Sequence, residues 1–276
     1  MPLDPERLLG ATIPPRRKAY DDREPMLYAL SVGARPEELR YVYEQTLHVI
    51  PSFAQMVGFD DTWLVPCGVA LEHVVHGSLD IAFDGVFAAS GEAEVETRIV
   101  GLTDKGPGRG GIIHQETRMT QAGAPVATSL SSLFVRGGGG FGGDRGRQPE
   151  ASPAPAREPD DTEVVGTAAN QAALFRLLGD RNPLHIDPEV ARRAGFAGPI
   201  LHGASTFGLA CLTVLRDFCG GEPERLARFA ARFTGPVYPG EALLFSFWRE
   251  GETLRFRADA SERGAAVLDS GLAVRR

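Results

Sequence analysis

Residues 179 to 208 read GDRNPLHIDPEVARRAGFAGPILHGASTFG. This stretch is the most informative part of the chain, because it combines a carboxylate, an amide, an imidazole and a helix start. Asp180 and His185 stand five residues apart with Pro183 between them, so a regular helix cannot run through both. We therefore expect the two side chains to project from one tight loop and to hold a water molecule between them. A carboxylate and an imidazole placed in this way are the equipment of an acid/base site.

The second half of the stretch predicts the start of a long helix. Gly198 and Pro199 indicate a turn, and the apolar run that begins near His202 and Gly203 favours a helix. The first N–H groups of a helix lack intrahelical partners and favour negative charge, including the charge that develops on a carbonyl oxygen. The Gly203 N–H is therefore a candidate oxyanion donor, while His202 either caps the helix or lines a pocket.

Composition excludes several classes of protein. The chain has 276 residues, 43% of them hydrophobic, which suits one large or two ordinary globular domains. With 29 basic and 36 acidic residues the net charge is −7, so no basic field is available for nucleic acid or an anionic membrane. The three cysteines lack metal-site spacing, which predicts free thiols in a reducing compartment and no metal centre.

The two ends of the sequence lack targeting signals. The N-terminal residues do not follow the basic-then-apolar order of a signal peptide, and no run approaches the roughly 18 apolar residues of a membrane span. The final GLAVRR is not a peroxisomal address of the Ser-Lys-Leu type. We expect a cytoplasmic protein that binds no membrane.

The periodicity predicts two α+β halves. Residues 93–136 alternate as strands separated by Gly-rich turns, which indicates an antiparallel meander. We expect an N-terminal domain at 1–145, a Gly/Pro/Ala-rich linker at 146–162 and a C-terminal domain at 163–276. The C-terminal domain repeats the order of helix followed by meander, although no detailed sequence repeat relates the halves.

Six further motifs follow in a characteristic order along the chain. They are YDDREPMLYALSVGA at 20–34, YVYEQ at 41–45, VHG at 75–77, LTDKGPG at 102–108, GGGGFGG at 137–143 and ARFTGPVYPGE at 231–241. With the opening stretch, they make the chain similar to the hydratase 2 branch of the MaoC-like dehydratases over nearly its whole length. The glycine tract alone would suit a linker, but the order and spacing of all seven motifs are specific.

The resemblance implies a fold and a reaction. The fold is a double hotdog, with two antiparallel sheets that each wrap a long helix. The reaction is (R)-specific hydration of trans-2-enoyl-CoA to (3R)-3-hydroxyacyl-CoA in fatty-acid or related acyl-thioester metabolism, and it is reversible. No metal or redox cofactor is implied, because the coenzyme A thioester is itself the substrate.

The resemblance also assigns roles to individual residues. The catalytic set is Asp180, His185, Asn182 and Gly203, in which Asn182 orients the acid/base pair; which of Asp180 and His185 is the acid and which the base stays open. Candidate substrate-binding residues are His76, Gly77, Lys105 and Phe233, with Tyr28 and Glu44 as supporting residues. Lys105 suits a CoA phosphate and Phe233 an apolar surface. Glu44 equally suits a solvated charge on a helix.

Two departures from the family pattern concern the substrate. Ser78, Leu79 and Asp80 replace the Glu-Gln-Tyr that often follows the VHG motif, and Phe175 stands where tyrosine is common. Both lie away from the acid/base loop. In this family the N-terminal half has an incomplete active-site helix and opens space for the acyl chain, so we expect the departures to affect acyl preference.

Several alternatives stay open at this point. The thioester could be carried on a carrier protein, or be branched or dicarboxylic. A hotdog thioesterase and a non-catalytic acyl-CoA binding module are the other two hypotheses, and Asn182 beside the acid/base pair favours hydration over hydrolysis. Since two hotdog units in one chain already match the family's minimal dimer, either a monomer or a homodimer of such chains is possible.

Overall fold

The computed structural model describes residues 2–147 and 153–276. Residues 148–152 of the expected linker lie outside the described residues. The N-terminal half contains α1 (Pro5–Leu9), β1 (Arg16–Tyr20), α2 (Arg23–Ser31), α3 (Leu39–Val42), α4 (Ala54–Gly58), β2 (Val74–Phe83), β3 (Gly91–Asp104), β4 (Gly110–Gln121), β5 (Ala124–Arg136) and β6 (Arg145–Gly146). The C-terminal half contains β7 (Asp161–Gly166), α5 (Gln171–Phe175), α6 (Pro188–Arg193), α7 (Gly203–Phe218), β8 (Leu226–Phe233), β9 (Ala242–Glu250), β10 (Thr253–Ala260) and β11 (Ala265–Arg275).

The strands of both halves form one continuous antiparallel sheet. Its order is β1-β3-β4-β5-β2-β8-β11-β10-β9-β7, with β6 paired to β3. Counted inward from each edge, the two halves have the same strand order. The N-terminal order is β1-β3-β4-β5-β2, and the corresponding C-terminal order is β7-β9-β10-β11-β8. The halves join where β2 pairs with β8, with Leu79 opposite Ala231. The repeat that the side chains do not reveal is therefore present in the strand order, and the α+β class is confirmed.

The expectation of a long helix in each half is wrong for the N-terminal half. The C-terminal helix α7 has 16 residues and is the longest helix of the described chain, whereas α4 has five and continues a 3-10 turn, Pro51–Phe53. Pro51 fixes where the helical segment begins, and the chain leaves the helix after Gly58 in extended backbone at Phe59. None of the helices within the described residues is long and apolar enough to cross a membrane.

The core joins the two halves around α7. Tyr28 of α2 is fully buried, and its hydroxyl donates to Ser52 Oγ at 2.8 Å. Gln55 of α4 donates through Nε2 to the Tyr28 hydroxyl at 2.6 Å and to the Ala204 carbonyl at 2.9 Å. Close contact between α2 and α7 needs Gly208, where a Cβ would lie 2.6 Å from the Tyr28 hydroxyl. The N-terminal half therefore fixes the position of the first turns of α7.

The glycine tract at 137–143 is an ordered part of the N-terminal half. The Asp104 carboxylate accepts hydrogen bonds from the N–H groups of Gly106 and Gly140 at 2.8 and 2.7 Å, and from Gly142 and Gly143 at 2.8 and 3.1 Å. These bonds, led by that of Gly140, hold the pKa of Asp104 well below its usual range. The tract thus wraps a carboxylate of the LTDKGPG motif.

We expect Gly208→Val to lower the free energy of unfolding by about 1–3 kcal/mol, the usual cost of overpacking. A side chain there would meet Val32 Cγ1, which lies 2.5 Å from the Cβ position, as well as the Tyr28 hydroxyl. Urea unfolding measures the change. Gly166→Val is the matched control, because open space surrounds that Cβ position; equal stability of the two variants would contradict this packing.

Candidate active site

Backbone turns build the loop that carries Asp180. The 3-10 turn Arg176–Leu178 follows α5 and ends at Gly179, whose φ of 128° suits glycine. Asp180 Oδ1 then accepts the N–H of Asn182 at 3.1 Å. Asn182 Oδ1 in turn accepts the N–H of Leu184 at 3.0 Å and caps the 3-10 turn Pro183–His185. The side-chain amide oxygen of Asn182 is therefore used inside the loop, where it stabilises the turn that carries His185.

His185 is buried with one nitrogen committed to the backbone. Nδ1 lies 2.8 Å from the carbonyl oxygen of Ile200. Since a carbonyl only accepts, Nδ1 carries the proton and Nε2 presents a lone pair in the neutral ring. Burial lowers the pKa of His185 below its ordinary value of 6.5, against the opposing effects of the Ile200 carbonyl and Asp180. The ring is thus a neutral hydrogen-bond acceptor at neutral pH.

A second imidazole packs on the first. The His202 and His185 rings stack with centroids 3.7 Å apart and planes at 28°. His202 is 1% exposed, and its Nε2 lies 3.2 Å from the backbone carbonyl of Asp180. Burial, reinforced by His185, lowers the pKa of His202 to about 4. His202 precedes α7 without capping it through its side chain, so it joins the loop of Asp180 to the face of His185.

The polar atoms of these side chains converge. One carboxylate oxygen of Asp180 and one nitrogen each of His185 and His202 all lie within 4.8 Å of one another. His185 Nδ1 and His202 Nε2 each donate to a backbone carbonyl, so each ring keeps one acceptor nitrogen. Together with the Asp180 carboxylate, the cluster offers acceptors to a small hydrogen-bond donor.

The start of α7 lies beside this cluster. Gly203 is the first residue of the helix, so its N–H has no intrahelical acceptor. A Cβ at Gly203 would lie 3.4 Å from the ring of Phe233, at the end of β8. Glycine therefore leaves room for a ligand carbonyl to approach the backbone between the helix start and Phe233.

The N-terminal half contributes His76 to the same region. Its ring centroid lies 6.5 Å from that of Phe233 and 6.5 Å from that of Phe59. The His76 side chain is exposed to solvent; partial desolvation by the protein atoms around it lowers its pKa, and the charges of Asp180 and Asp61 oppose this effect. A bulge between His76 and Ser78, at Gly77, offsets the register of β2 at this point. His76 is thus within electrostatic reach of the Asp180 carboxylate.

The remaining predicted residues lie elsewhere. Lys105 is exposed in the turn between β3 and β4, and Glu44 is exposed in the 3-10 turn Glu44–Thr46. Tyr28 is buried against α7 with its hydroxyl bonded to Ser52 and Gln55. The structure therefore brings together Asp180, His185, Gly203, His76 and Phe233, whereas Lys105 and Glu44 lie on the surface.

The sequence analysis does not predict the contacts of Gln55 or the stacking of His202 on His185. Gln55 interrupts the apolar run SFAQMVGF, and a polar side chain among buried neighbours is a signal that such a run offers. His202 follows His185 by 17 positions, and no local spacing rule connects the two residues.

A recess of about 390 Å³ lies next to His185. Small and apolar residues dominate its lining, which consists of Ala169, Ala172, Ala173, His185, Ile186, Pro199, Tyr238 and Pro239.

We expect Asp180→Asn to lower the pKa values of His76, His185 and His202, because the Asp180 charge raises all three. Loss of a nearby opposite charge shifts a pKa by up to about one unit at partly screened distances. Histidine ring signals followed by NMR against pH measure the shifts. Asp187→Asn is the control, since that carboxylate is not among the causes of these shifts, and unchanged values in Asp180→Asn would refute the proximity.

Comparisons with known proteins cover nearly the whole chain. A model of the MaoC like domain matches residues 150–269, and a model of the MFE-2 hydratase 2 N-terminal domain matches residues 19–137. A Mycobacterium tuberculosis protein named enoyl-CoA hydratase ChsH3 is 36% identical over 99% of this chain and 98% of its own length.

Solved structures agree with the fold. The crystal structure of a MaoC-like dehydratase from Phytophthora capsici has a TM-score of 0.90 at 29% identity, covering 99% of this chain and 98% of its own. A Mycobacterium tuberculosis protein described as a double hotdog fold has a TM-score of 0.55 at 17% identity, covering 95% and 94%. The expected double hotdog is confirmed.

Proposed function

Since the chain belongs to the MaoC-like dehydratase family, with an N-terminal half of the MFE-2 hydratase 2 type, we propose that it hydrates trans-2-enoyl-CoA to (3R)-3-hydroxyacyl-CoA. The enzyme is then a hydro-lyase, and the same groups run the dehydration in reverse. The observation that carries the proposal is the convergence of the Asp180 carboxylate and a ring nitrogen of His185 beside the start of α7.

Asp180 and His185 would bind one water molecule and take a proton from it. The Asp180 carboxylate and His185 Nε2 both accept hydrogen bonds, so a water between them is oriented with its oxygen toward the substrate. One group takes a proton as the water oxygen bonds to the β-carbon, the double bond opens, and a proton passes to the α-carbon. Because both transfers come from one side, the addition is syn. The pair is the unit of proton transfer.

The thioester oxygen gains negative charge in this step. The N–H of Gly203 and the helix start behind it would stabilise that charge. Asn182 and His202 position the pair, Asn182 through the turn that carries His185 and His202 through its stacking on that ring. Deprotonation and protonation by these groups need no metal or redox cofactor.

The N-terminal half would bind the rest of the substrate. We assign His76, Gly77 and Phe233 to the acyl thioester, Lys105 to a CoA phosphate, and Tyr28 and Glu44 to supporting roles. Residues 1–145 then accommodate the acyl chain, 146–162 link the halves, and 163–276 carry the chemistry. We also propose a cytoplasmic location, which the free thiols of Cys67, Cys211 and Cys219 support, and a homodimer as the assembly.

We expect Asp180→Asn and His185→Gln each to lower kcat by about 10²–10⁴-fold, the usual contribution of general acid/base catalysis. Loss of the ultraviolet absorbance of trans-2-enoyl-CoA measures turnover, and chiral analysis identifies the 3-hydroxyacyl product. Asp187→Asn is the matched control, because Asp187 Oδ1 only caps α6, at 2.8 Å from the Glu189 nitrogen, and asparagine caps equally well.

Three results would count against hydration. An (S)-product would refute the assigned face of attack. Release of free thiol from saturated acyl-CoA would indicate a thioesterase. Tight acyl-CoA binding without turnover, unaffected by Asp180→Asn, would indicate a binding module.

The pH profile of kcat/KM should have its acidic limb below pH 6.5. Protonation of His185 removes the Nε2 acceptor, so the rate falls as the pH falls through the pKa of His185, which burial holds below 6.5. Between that limb and about pH 8 the neutral ring persists and the rate should stay level. An acidic limb centred above pH 7 would contradict a neutral, buried His185.

A further inference from the structure

The inner face of the N-terminal sheet carries a polar strip between two apolar clusters. One cluster contains Met119 and Ala127, and the other contains Ile113 and Leu133. Between them, on the same face of β4 and β5, alternate positions are polar. We call these four residues the polar strip: Gln115, Thr117, Ser129 and Ser131.

Two atoms of the strip are buried without a hydrogen-bond partner. They are Ser131 Oγ, in a side chain that is 4% exposed, and Gln115 Oε1. Thr117, by contrast, pairs with Thr97 at 3.0 Å between hydroxyl oxygens. A buried polar group without a partner destabilises the protein that carries it, so its retention needs a reason.

A third such atom faces the sheet region from α4. Gln55 Oε1 is buried and has no partner, while Gln55 Nε2 donates to the Ala204 carbonyl. Because a carbonyl can only accept, the amide orientation of Gln55 is fixed and Oε1 is the free acceptor. Helix α4 packs on β4 and β5, the two strands of the polar strip. A free acceptor therefore lies beside the first turn of α7, on a helix that packs on the two strands of the strip.

The strand register connects the strip to the reaction site. Ala231, Leu79, Ser131 and Gln115 stand directly opposite one another in four neighbouring strands. With strands about 4.8 Å apart, Ser131 and Gln115 lie roughly 10 and 14 Å from Ala231. Ala231 is two residues before Phe233 on the same face of β8, and the Phe233 ring lies 3.4 Å from where a Cβ of Gly203 would be. An acyl chain that leaves the thioester near Gly203 and runs along this row reaches the strip at medium length.

We propose that the polar strip recognises a hydroxyl group on the acyl chain of the substrate, beyond the reacting carbons. The inference rests on the proposed function, because it takes the thioester to lie at Gly203. A hydroxyl has one O–H, which donates to Gln115 Oε1 or Gln55 Oε1, and its oxygen accepts the O–H of Ser131. A purely hydrocarbon chain would leave all three atoms unpaired, and a site of that kind rejects the analogue without the polar group.

The test compares thioesters of equal length. We expect wild-type protein to give a higher kcat/KM for ω-hydroxy-trans-2-decenoyl-CoA than for trans-2-decenoyl-CoA. Isomers with the hydroxyl moved along the chain should show one best position. Ser131→Ala and Gln115→Leu should each lower the ratio of the two kcat/KM values by about tenfold, as expected when a hydrogen bond in a buried site is removed. Turnover of the unsubstituted thioester should be unchanged or faster.

Ser246→Ala is the matched control, since it makes the same substitution in β9 of the other half. It should leave the ratio at the wild-type value. A ratio that Ser131→Ala and Gln115→Leu do not change, with hydration intact, would overturn the proposal and mean that water alone satisfies the strip.

Binding separates this proposal from the proposed function. Calorimetry with saturated ω-hydroxydecanoyl-CoA and decanoyl-CoA needs no turnover, and we expect the hydroxylated ligand to bind more tightly to wild type but not to Ser131→Ala. Equal Kd values would overturn the polar strip as a recognition site whatever the enzyme catalyses. Tighter binding of the hydroxylated ligand without hydration of either enoyl thioester would support the strip and refute the hydratase.

Discussion

The first turn of α7 is the element on which the rest of the structure depends. Gln55 of the N-terminal half holds the Ala204 carbonyl, and Ser205 Oγ links Gln171, at 3.1 Å, to the Ser31 carbonyl, at 3.0 Å. These bonds come from α4, α5 and the end of α2, so the position of Gly203 depends on both halves. Because buried polar groups tolerate little displacement, this network also sets the distance between the helix start and the acid/base loop.

The site follows from this arrangement. The loop of Asp180 and the His185 turn are held by hydrogen bonds within each turn. His202, the residue before α7, ties that loop to the start of the helix through the Asp180 carbonyl. The stacked imidazoles are neutral because they are buried. Neutral His185 therefore keeps one ring nitrogen available as a hydrogen-bond acceptor. Local turns therefore shape the loop of Asp180 and His185, the proposed acid/base pair, while contacts between the halves fix the start of α7 beside it.

The acid/base loop and the fold class could be predicted from the sequence, because the first depends on residues close together in the chain and the second on family motifs. Asp180, Pro183 and His185 lie close enough for backbone rules to bring them into one loop, and the family motifs supplied the double hotdog. The short α4 and the role of Gln55 were beyond those rules, since they depend on which residues meet after folding. The mirrored strand order was invisible too, because strand pairing uses backbone groups and does not require the halves to share side chains.

The pairing of β2 with β8 has a consequence for how such a protein came to be one chain. Each strand is the inner border of its own half, and separating the halves would leave two long rows of unpaired backbone N–H and C=O groups. A C-terminal half made alone would expose its β8 border as an edge open to pairing with another strand. Joining the two halves in one chain covers both borders internally.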